Sequence, residues 1–346
     1  MFITPSPHAW DSFVRQHPQG HALQLSAFAS LKQLAGWKSE RIAFQRGDQI
    51  IAGAQLLFRP LPLRLGTMAY LPFGPLTAEG MDVNLLWETI HTSAKKHHAA
   101  FLKWEPGFVE QAVDYGSLGF QPALQTIQPP RTVLIDIRGS EEDILGRMNQ
   151  GTRRKIRQSL KNDIHYYEAS RAQVKHFTHM METTGERNAF GVHESSYYSL
   201  AYDLYVPQDA ALILAEHQEA TNSEPTPLAG VFVLATGKTA WYLYGASANI
   251  KRNLMAAYGV QWKAIQWARE RGCETYDMWG IPDEDLEQLE QHFETRSDGL
   301  WGVYGFKRGW GGKVARTAGA WDKVYQPLLY YAYKFALRLR NSPETE

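Results

Sequence analysis

One arrangement of predicted strands and helices occurs twice along this chain, and it limits the folds that the chain can adopt. In the first copy a hairpin is followed by a strand, a helix starting at Asp82 and a strand ending at Trp104. In the second copy the corresponding strands end at Gly245 and Trp279. The spacing is similar, because 30 residues separate Gly74 from Trp104 and 34 separate Gly245 from Trp279. A pattern that recurs with its spacing preserved predicts a duplicated structural unit.

The predicted order of elements indicates the fold class. A hairpin, a strand, a helix and a further strand form the core of the GNAT acyltransferase fold, in which helices cover both faces of a mixed sheet. We therefore expect an α/β (α+β) protein with two tandem GNAT-like acyltransferase domains. The first domain, with a connector, is expected at residues 1–145, and the second, with a C-terminal helix, at residues 146–346. No heptad repeat of sufficient length occurs, so a long coiled-coil arm is not expected.

Composition excludes several classes of protein. With 36 Lys and Arg against 36 Asp and Glu, the chain has no net charge, so any contact with nucleic acid must come from a local patch. The single cysteine, Cys273, excludes an internal disulfide and fits a reducing cytosol. The first residues do not resemble a signal peptide, and no apolar run approaches the ~18 residues of a spanning helix. We therefore expect a globular cytoplasmic protein.

Three short segments in the C-terminal half carry residues that suit a binding cleft. They are Tyr244-Gly-Ala-Ser247, Asp277-Met-Trp-Gly280 and Gly305-Phe-Lys-Arg-Gly-Trp310. Small residues permit a ligand to approach the backbone closely, while the polar aromatics and the lysine supply functional groups. The order and spacing of the segments resemble the FemABX family, which transfers amino acids from aminoacyl-tRNA to a peptidoglycan precursor.

The resemblance implies catalytic and substrate-binding residues near the ends of predicted strands. Lys307, which follows Phe306, matches the lysine of the family's Phe-Lys segment and is expected to meet negative charge at the reacting carbonyl. Glu105 matches an acidic residue proposed in the family to contact the acceptor amine. Phe306 and Tyr244 are expected to bind substrate, with Tyr244 between the acceptor and the carbonyl. Without the resemblance, Lys307 would be a surface lysine on a hairpin and Glu105 a solvated strand-end residue.

Phosphate-binding residues are also implied by the resemblance. Lys32 corresponds to a family lysine that binds the phosphates of a nucleotide sugar, although the sequence alone predicts an exposed helix residue there. The family often has an arginine shortly before a Tyr-Tyr helix, and here His193 precedes Tyr197 instead. Because histidine is largely neutral at pH 7, Arg187 is a second candidate for this substrate contact.

A basic segment follows the connector and has two interpretations. It contains five cations in eleven residues, among them Arg153, Arg154, Lys155 and Arg157. The segment is either a solvated helix face or a phosphate-binding ridge for tRNA. A basic run alone is weak evidence for RNA binding, so the solvated face is the preferred interpretation.

The predicted C-terminal helix, from Pro327 to Arg340, also has two interpretations. It carries Tyr330, Tyr331, Tyr333 and Phe335, with basic residues among and after them. Such a stripe either packs against the second domain or contacts a membrane from its surface. The membrane contact would help only if the substrate is lipid-linked.

The acyl donor can be considered from one predicted turn. In a CoA-dependent GNAT enzyme, the backbone amides of a glycine-containing turn hold the pyrophosphate at a helix N-terminus. The corresponding segment is Arg252-Asn-Leu-Met-Ala-Ala257, in which Met255 stands in place of the essential glycine. Its side chain would crowd the phosphates, so a donor other than CoA is expected. The His97-His98 pair is assigned to the surface, and neither a metal nor another cofactor is expected.

These residues together predict an aminoacyltransferase. It would move an amino acid from aminoacyl-tRNA to the side-chain amine of a peptidoglycan stem peptide. The acceptor would be UDP-MurNAc-pentapeptide or a lipid-linked precursor, reached in the cytoplasm or by peripheral contact at the inner face of the membrane. Two alternatives stay open, a GNAT-type N-acyltransferase acting on another amine and a non-catalytic precursor-binding protein. The presence of both Lys307 and Glu105 argues against the second alternative.

Overall fold

The computed structural model describes residues 1–62, 66–109, 113–188, 191–219 and 224–340. The chain is divided into two compact units. The first unit consists of Met1–Pro130 together with the chain from Arg316 onward, and the second unit is Arg131–Ala315.

The described residues form fifteen strands and eleven α-helices. The strands are β1 (Phe2–Ile3), β2 (Lys38–Arg46), β3 (Gln49–Pro60), β4 (Thr67–Pro72), β5 (Leu76–Thr77), β6 (Ala99–Glu105), β7 (Gln121–Pro122), β8 (Arg131–Asp136), β9 (His165–Glu168), β10 (Ala210–His217), β11 (Thr226–Thr236), β12 (Thr239–Ser247), β13 (Thr275–Asp277), β14 (Lys313–Arg316) and β15 (Trp321–Val324). The helices are α1 (Pro7–Gln16), α2 (Ser26–Lys32), α3 (Val83–Lys96), α4 (Glu141–Arg147), α5 (Gln150–Lys161), α6 (Val174–Asn188), α7 (Ser195–Tyr205), α8 (Ala256–Glu270), α9 (Leu286–His292), α10 (Trp301–Lys307) and α11 (Pro327–Arg340).

The two sheets repeat one topology. The first sheet has the order β1-β2-β3-β4-β6-β15-β7, and β5 pairs separately with β3. The second sheet has the order β14-β8-β13-β12-β11-β10-β9. In the first sheet β2, β3 and β4 are antiparallel, and β4 pairs in parallel with β6 across the α3 connection. In the second sheet β10, β11 and β12 are antiparallel, and β12 pairs in parallel with β13 across α8. The prediction of two tandem GNAT-like units is therefore confirmed.

The outer strands of the two sheets do not follow chain order. In the first unit β6 pairs with β15, which comes from the C-terminal part of the chain. In the second unit β13 pairs with β8, which precedes all its other strands. The division of the chain consequently differs from the expected boundary between residues 145 and 146. The C-terminal helix α11 belongs to the first unit, where the Tyr330 ring lies 5.1 Å from the Phe101 ring, and not to the second domain as expected.

The central strands are buried because helices cover both faces of each sheet. In β11, every residue from Leu228 to Leu234 is buried. Helix α8 packs against this sheet, and its Trp262 is a core residue that is 1% exposed. Helix α3 begins after Asp82, whose side chain accepts a hydrogen bond from the Asn84 N–H.

No helix in the described part of the chain is both long enough and apolar enough to cross a bilayer. The longest described helices, α6 and α8, have 15 residues each. A long helical arm is therefore absent from the described ranges.

Candidate active site

The second unit contains a cavity of about 620 Å³ beside the C-terminal end of β12. Its wall includes Gly245, Ala246 and Ser247 of that strand, the first residues of α8 and the last residues of α10. Small residues at the strand end leave the backbone accessible to a ligand.

A β-bulge determines which side chains of β12 face this cavity. Tyr242 and Tyr244 pair with adjacent residues of β11, so Leu243 is an extra residue in the ladder. The bulge brings Tyr242 against Gly245, where an added Cβ atom would lie 1.8 Å from the Tyr242 hydroxyl oxygen. Glycine is therefore required at position 245, and Tyr242 lines the cavity.

The cavity has an excess of positive charge. Among the described residues its lining contains no carboxylate and five cations, which are Lys155, Arg187, Lys251, Arg252 and Lys307. Glu219 pairs with Lys251, whereas Arg252 makes no ion pair within the described ranges. Burial, and then the nearby charge of Arg252, lower the pKa of Arg187. Positive charge that is only partly compensated favours an anionic ligand.

Lys307 is a buried lysine of the cavity wall. It ends α10 and is 7% exposed. Its Nζ donates hydrogen bonds to the Gly280 carbonyl at 2.7 Å and to the Trp279 carbonyl at 3.3 Å, and lies 5.6 Å from the Tyr242 ring centre. Burial lowers the pKa of Lys307 to about 7, while the charge of Asp277 opposes this shift. The prediction of a surface lysine on a hairpin is wrong, because residues 301–307 form a helix and the side chain of Lys307, its last residue, points inward.

Asp277 is a buried carboxylate whose charge raises the Lys307 pKa against the effect of burial. It is 5% exposed and accepts hydrogen bonds from the Thr132 hydroxyl and from the Trp279 N–H, the latter at 2.7 Å. Burial raises the pKa of Asp277 to about 6, and its hydrogen bonds and the charge of Lys307 oppose the shift. Near neutral pH, Asp277 is therefore largely ionised and favours the ammonium form of Lys307.

The turn before α8 has backbone geometry that glycine usually adopts. Lys251 and Met255 have φ angles of 47° and 58°, in the left-handed region. Met255 is the N-cap of α8, and it lines the cavity with Ala256 and Ala257. The turn therefore keeps the backbone conformation of a glycine-containing phosphate turn. Its methionine side chain lies where we expect it to crowd a CoA pyrophosphate.

Several predicted site residues meet in this cavity. Phe306, Arg187 and Lys155 line it together with Lys307. Arg187 donates hydrogen bonds to the Ser247 carbonyl at 3.2 Å and to the Ser247 hydroxyl at 3.1 Å. Lys155 donates to the Tyr258 hydroxyl at 3.1 Å. Each cation is thereby held by a neighbouring polar group in the wall.

Tyr244 and His193 are in a separate aromatic cluster and do not line the cavity. The His193 ring stacks on Tyr197 at 3.7 Å, and the Tyr197 and Tyr244 hydroxyl oxygens are 2.9 Å apart. The bulge at Leu243 is the physical reason, since it places Tyr242 on the cavity side of β12. Tyr244 therefore does not line the cavity, and its expected place between the acceptor and the carbonyl stays a prediction.

The basic segment in α5 divides into three environments. Arg153 donates to the Met148 carbonyl at 2.5 Å, near the end of α4. Lys155 enters the cavity, whereas Arg154 and Arg157 are exposed. Only part of the segment is therefore a solvated face, and its cations do not form one continuous ridge.

Glu105 is a buried carboxylate in the first unit. It is 4% exposed and accepts hydrogen bonds from the Tyr70 hydroxyl at 2.5 Å and from the Ile127 N–H at 2.5 Å. The Gln128 N–H lies 3.2 Å from its Oε2. Burial raises the pKa of Glu105 to about 7, while these hydrogen bonds and the Lys103 charge oppose the rise. The solvated strand-end position is wrong, because the segment around Ile127 covers the carboxylate.

Glu105→Gln is expected to change the pH dependence of stability. Because the pKa is about 7 in the folded chain and near 4.5 when unfolded, the folded state binds the extra proton between these values. Wild-type stability should therefore fall relative to Glu105→Gln by about 3 kcal/mol as pH rises from 5 to 8. Urea unfolding at four pH values measures this difference. Glu88→Gln, at an exposed residue, is the matched control. If the unfolding free energy of wild type, Glu105→Gln and Glu88→Gln changed equally with pH, the raised pKa of Glu105 would be contradicted.

Lys32 is also more buried than the sequence alone predicts. It ends α2, is 6% exposed, and its Nζ lies 5.2 Å from the Phe28 ring centre. The prediction of an exposed Lys32 is wrong, because the α2 face that carries Lys32 packs within the first unit. Its phosphate-binding role stays a prediction.

Tyr242, Asp277 and Tyr258 belong to the site but were not singled out as site residues from the sequence. Asp277 lies in the segment Asp277-Met-Trp-Gly280, whose position at a predicted strand end indicates a place near the cleft. No sequence pattern indicates that Tyr242 faces the cavity, because its orientation depends on the bulge. In the described part of the chain, no group of three or more His, Cys, Asp or Glu side chains is arranged to hold a metal ion.

Comparison with known proteins extends over nearly the whole chain. The chain is 29% identical to the lipid II:glycine glycyltransferase of Staphylococcus saprophyticus subsp. saprophyticus over 400 aligned positions, covering 95% of this chain and 94% of that protein. The solved structure described as the crystal structure of FemX has a TM-score of 0.85 at 24% identity, covering 96% of this chain and 99% of that chain. A tandem GNAT protein from the clavulanic acid biosynthesis pathway has a TM-score of 0.53 at 11% identity, covering 93% and 97%.

These structural similarities confirm the predicted fold, and the relative's name confirms the predicted transferase class. A sequence model of the FemAB family matches residues 6–117, 115–220 and 215–338. Because these matches extend from residue 6 to residue 338 and include every residue of the cavity wall named above, the chain belongs to the FemAB family.

Proposed function

We propose that this protein transfers an amino acid, glycine by similarity to its relative, from aminoacyl-tRNA to the side-chain amine of a peptidoglycan stem peptide. The observation that carries the proposal is a cationic cavity that contains a buried lysine with a pKa near neutrality. The similarity to a lipid II:glycine glycyltransferase over 95% of the chain supports a lipid-linked acceptor.

The charge of the cavity fits the end of a tRNA. A tRNA 3′ end carries closely spaced phosphates, which require nearby cations. Arg252 is free of ion pairs within the described ranges, and Arg187 lies close enough for the two charges to affect each other.

Acyl transfer from the tRNA ester gives Lys307 a defined role. The acceptor nitrogen attacks the ester carbonyl carbon, a C–N bond forms, and the C–O bond to the terminal ribose breaks. The amine loses a proton and the ribose oxygen gains one. Two backbone carbonyls orient Nζ of Lys307, and its ammonium form has a further N–H for the developing oxyanion or the leaving oxygen.

For Glu105 we propose a positioning role. Both carboxylate oxygens already accept hydrogen bonds, including those from Tyr70 and Ile127. Because Glu105 is 4% exposed, an acceptor ammonium could contact its carboxylate only if the covering segment around Ile127 moved away. The carboxylate therefore contributes by holding the segment around Ile127 in place, while Lys32 stays a candidate for the acceptor phosphates.

The donor assignment predicts a different effect for two exposed arginines. Arg252→Gln should weaken binding of aminoacyl-tRNA about tenfold at low salt and reduce the slope of log K against log salt by about 0.7, as expected for one lost phosphate contact. Arg154→Gln, on the exposed side of α5, is the matched control and should change both quantities little. Fluorescence titration at several salt concentrations measures them.

Two outcomes of this titration would contradict the donor assignment. An equal loss in both variants would mean that the tRNA responds to general positive charge, so the cavity would not be its specific binding site. Tight binding of CoA without measurable binding of tRNA would favour the alternative of a GNAT-type N-acyltransferase that uses a thioester.

A further inference from the structure

The C-terminal helix α11 carries apolar side chains on the face that points away from its own unit. Leu328 is 88% exposed, Tyr331 60%, Phe335 63% and Leu339 72%. At 3.6 residues per turn, the spacing of these four positions places them in one stripe about 80° wide. A helix on the surface of a globular unit normally has polar residues there, so this stripe needs a partner.

The opposite face of α11 determines the orientation of the helix. Tyr330 is fully buried, and its hydroxyl donates a hydrogen bond to Asp322 at 2.9 Å. The rings of Tyr330 and Tyr333 each lie 5.1 Å from the Phe101 ring of β6. These contacts hold the helix on the first sheet with its apolar stripe facing outward.

Charge indicates what the partner is. Lys334 and Arg338, one helical turn apart, lie along one edge of the stripe, and α11 contains no acidic residue. Cations beside aromatic and leucine side chains are typical of helices that lie in the interface of an anionic bilayer. Lysine and arginine can reach lipid phosphates while the apolar residues enter the acyl boundary.

The size of the stripe favours a bilayer over a second copy of the chain. Four side chains with these exposures present about 500 Å² of surface, whereas a stable protein–protein interface needs about 800 Å² from each partner. A lipid surface has no such minimum area, because a few inserted side chains with nearby cations suffice for reversible binding.

We propose that the stripe formed by Leu328, Tyr331, Phe335 and Leu339 docks the protein on the surface of an anionic phospholipid bilayer. The inference rests on the proposed function in one respect, since a lipid-linked acceptor is what makes docking useful. The binding itself needs no turnover and is tested separately from the reaction.

The test is flotation of the full chain with vesicles. The wild-type protein should float with vesicles of equal parts phosphatidylglycerol and phosphatidylcholine, and less with pure phosphatidylcholine. Phe335→Ser with Leu339→Ser should lower the bound fraction about tenfold or more. Leu286→Ser, at a leucine of α9 that is 56% exposed, is the control and should float like the wild type.

A second pair of variants tests the charge. Lys334→Ala with Arg338→Ala should reduce binding to the phosphatidylglycerol vesicles and weaken its salt dependence, whereas Lys95→Ala, exposed on α3, should not. Equal flotation of the wild type and the Phe335→Ser, Leu339→Ser protein would overturn the proposal. The proposal would also be overturned if the wild type does not float but forms a dimer in sedimentation experiments, and if the same two substitutions dissociate that dimer.

The two proposals can fail independently. If the Phe335→Ser, Leu339→Ser protein loses flotation but keeps full turnover with a water-soluble acceptor, docking is supported apart from the chemistry. If the wild type floats and transfers no amino acid to any precursor, the proposed function fails while the docking surface stands.

Discussion

Replacing Lys307 with methionine is expected to lower kcat by about 10²–10³-fold while the protein stays folded. Methionine has a similar length and no charge, so it fills the same space without the N–H group that the reaction needs. The Nζ atom now lies 2.7 Å from the Gly280 carbonyl, at the wall of the cationic cavity. Single-turnover kinetics with aminoacyl-tRNA and a precursor measure the change, and circular dichroism checks the fold.

The pH dependence of the same variant gives a second readout. Because burial lowers the Lys307 pKa to about 7, the fraction of ammonium falls as pH rises above that value. Wild-type kcat/KM should therefore fall on the alkaline side of pH 7. The Lys307→Met protein should lack this limb, and its residual rate should rise with pH as the acceptor amine loses its proton.

The matched control for Lys307 is Lys313→Met, an exposed lysine on β14. It removes the same charge from the second unit without reaching the cavity, so kcat should stay within about twofold of wild type. A Lys307→Met protein with normal kcat and a normal pH profile would remove Lys307 from the mechanism. Loss of activity in both variants would indicate an effect of net charge.

Asp322→Ala is expected to destabilise the protein by about 3–5 kcal/mol. Asp322 and Lys103 are 3% and 2% exposed, and Nζ of Lys103 lies 3.3 Å from Oδ1 of Asp322. Removing the carboxylate leaves the Lys103 ammonium buried with the Gln125 carbonyl at 2.8 Å, and it removes the acceptor for the Tyr330 hydroxyl. Thermal melting should show a fall in Tm of roughly 10 °C.

A double variant separates the buried charge from simple loss of packing. Lys103→Met with Asp322→Leu removes both charges and keeps most of the volume, so it should recover most of the stability lost in Asp322→Ala. If the double variant is as unstable as the single one, the ion pair is not the cause. The result also reports on β15, because Asp322 holds this C-terminal strand to β6.

Much of the fold could be predicted from the sequence because its signals are local. Alternating and continuous apolar runs, turn residues and the repeated spacing from Gly74 to Trp104 and from Gly245 to Trp279 indicate the two sheets. The pairing of β15 with β6 and of β8 with β13 could not be predicted. Both are contacts between distant parts of the chain, and a four- to six-residue strand carries no mark of its partner.

The candidate site, too, could be predicted from the sequence only in part. Small residues and functional groups at strand ends drew attention to the segments that contain Asp277 and Lys307, and Arg187 and Phe306 also line the cavity. The sequence predicts a substrate contact for Tyr244, whereas the structure places Tyr242, and not Tyr244, in the cavity wall. One extra residue in a strand reverses the face of every later side chain, and nothing in the local sequence marks the bulge.

The sequence by itself determined the duplicated GNAT-like architecture, the family, and the order of the segments that form the cavity wall, since these depend on residue type and spacing. Only the tertiary structure decided that Lys307, Glu105 and Lys32 are buried, that Tyr242 faces the cavity, and that α11 exposes an apolar stripe. Burial and protonation are set by the neighbours that long-range packing brings to a side chain. A pKa near 7 for Lys307 therefore follows from where the end of α10 lies and not from the lysine itself.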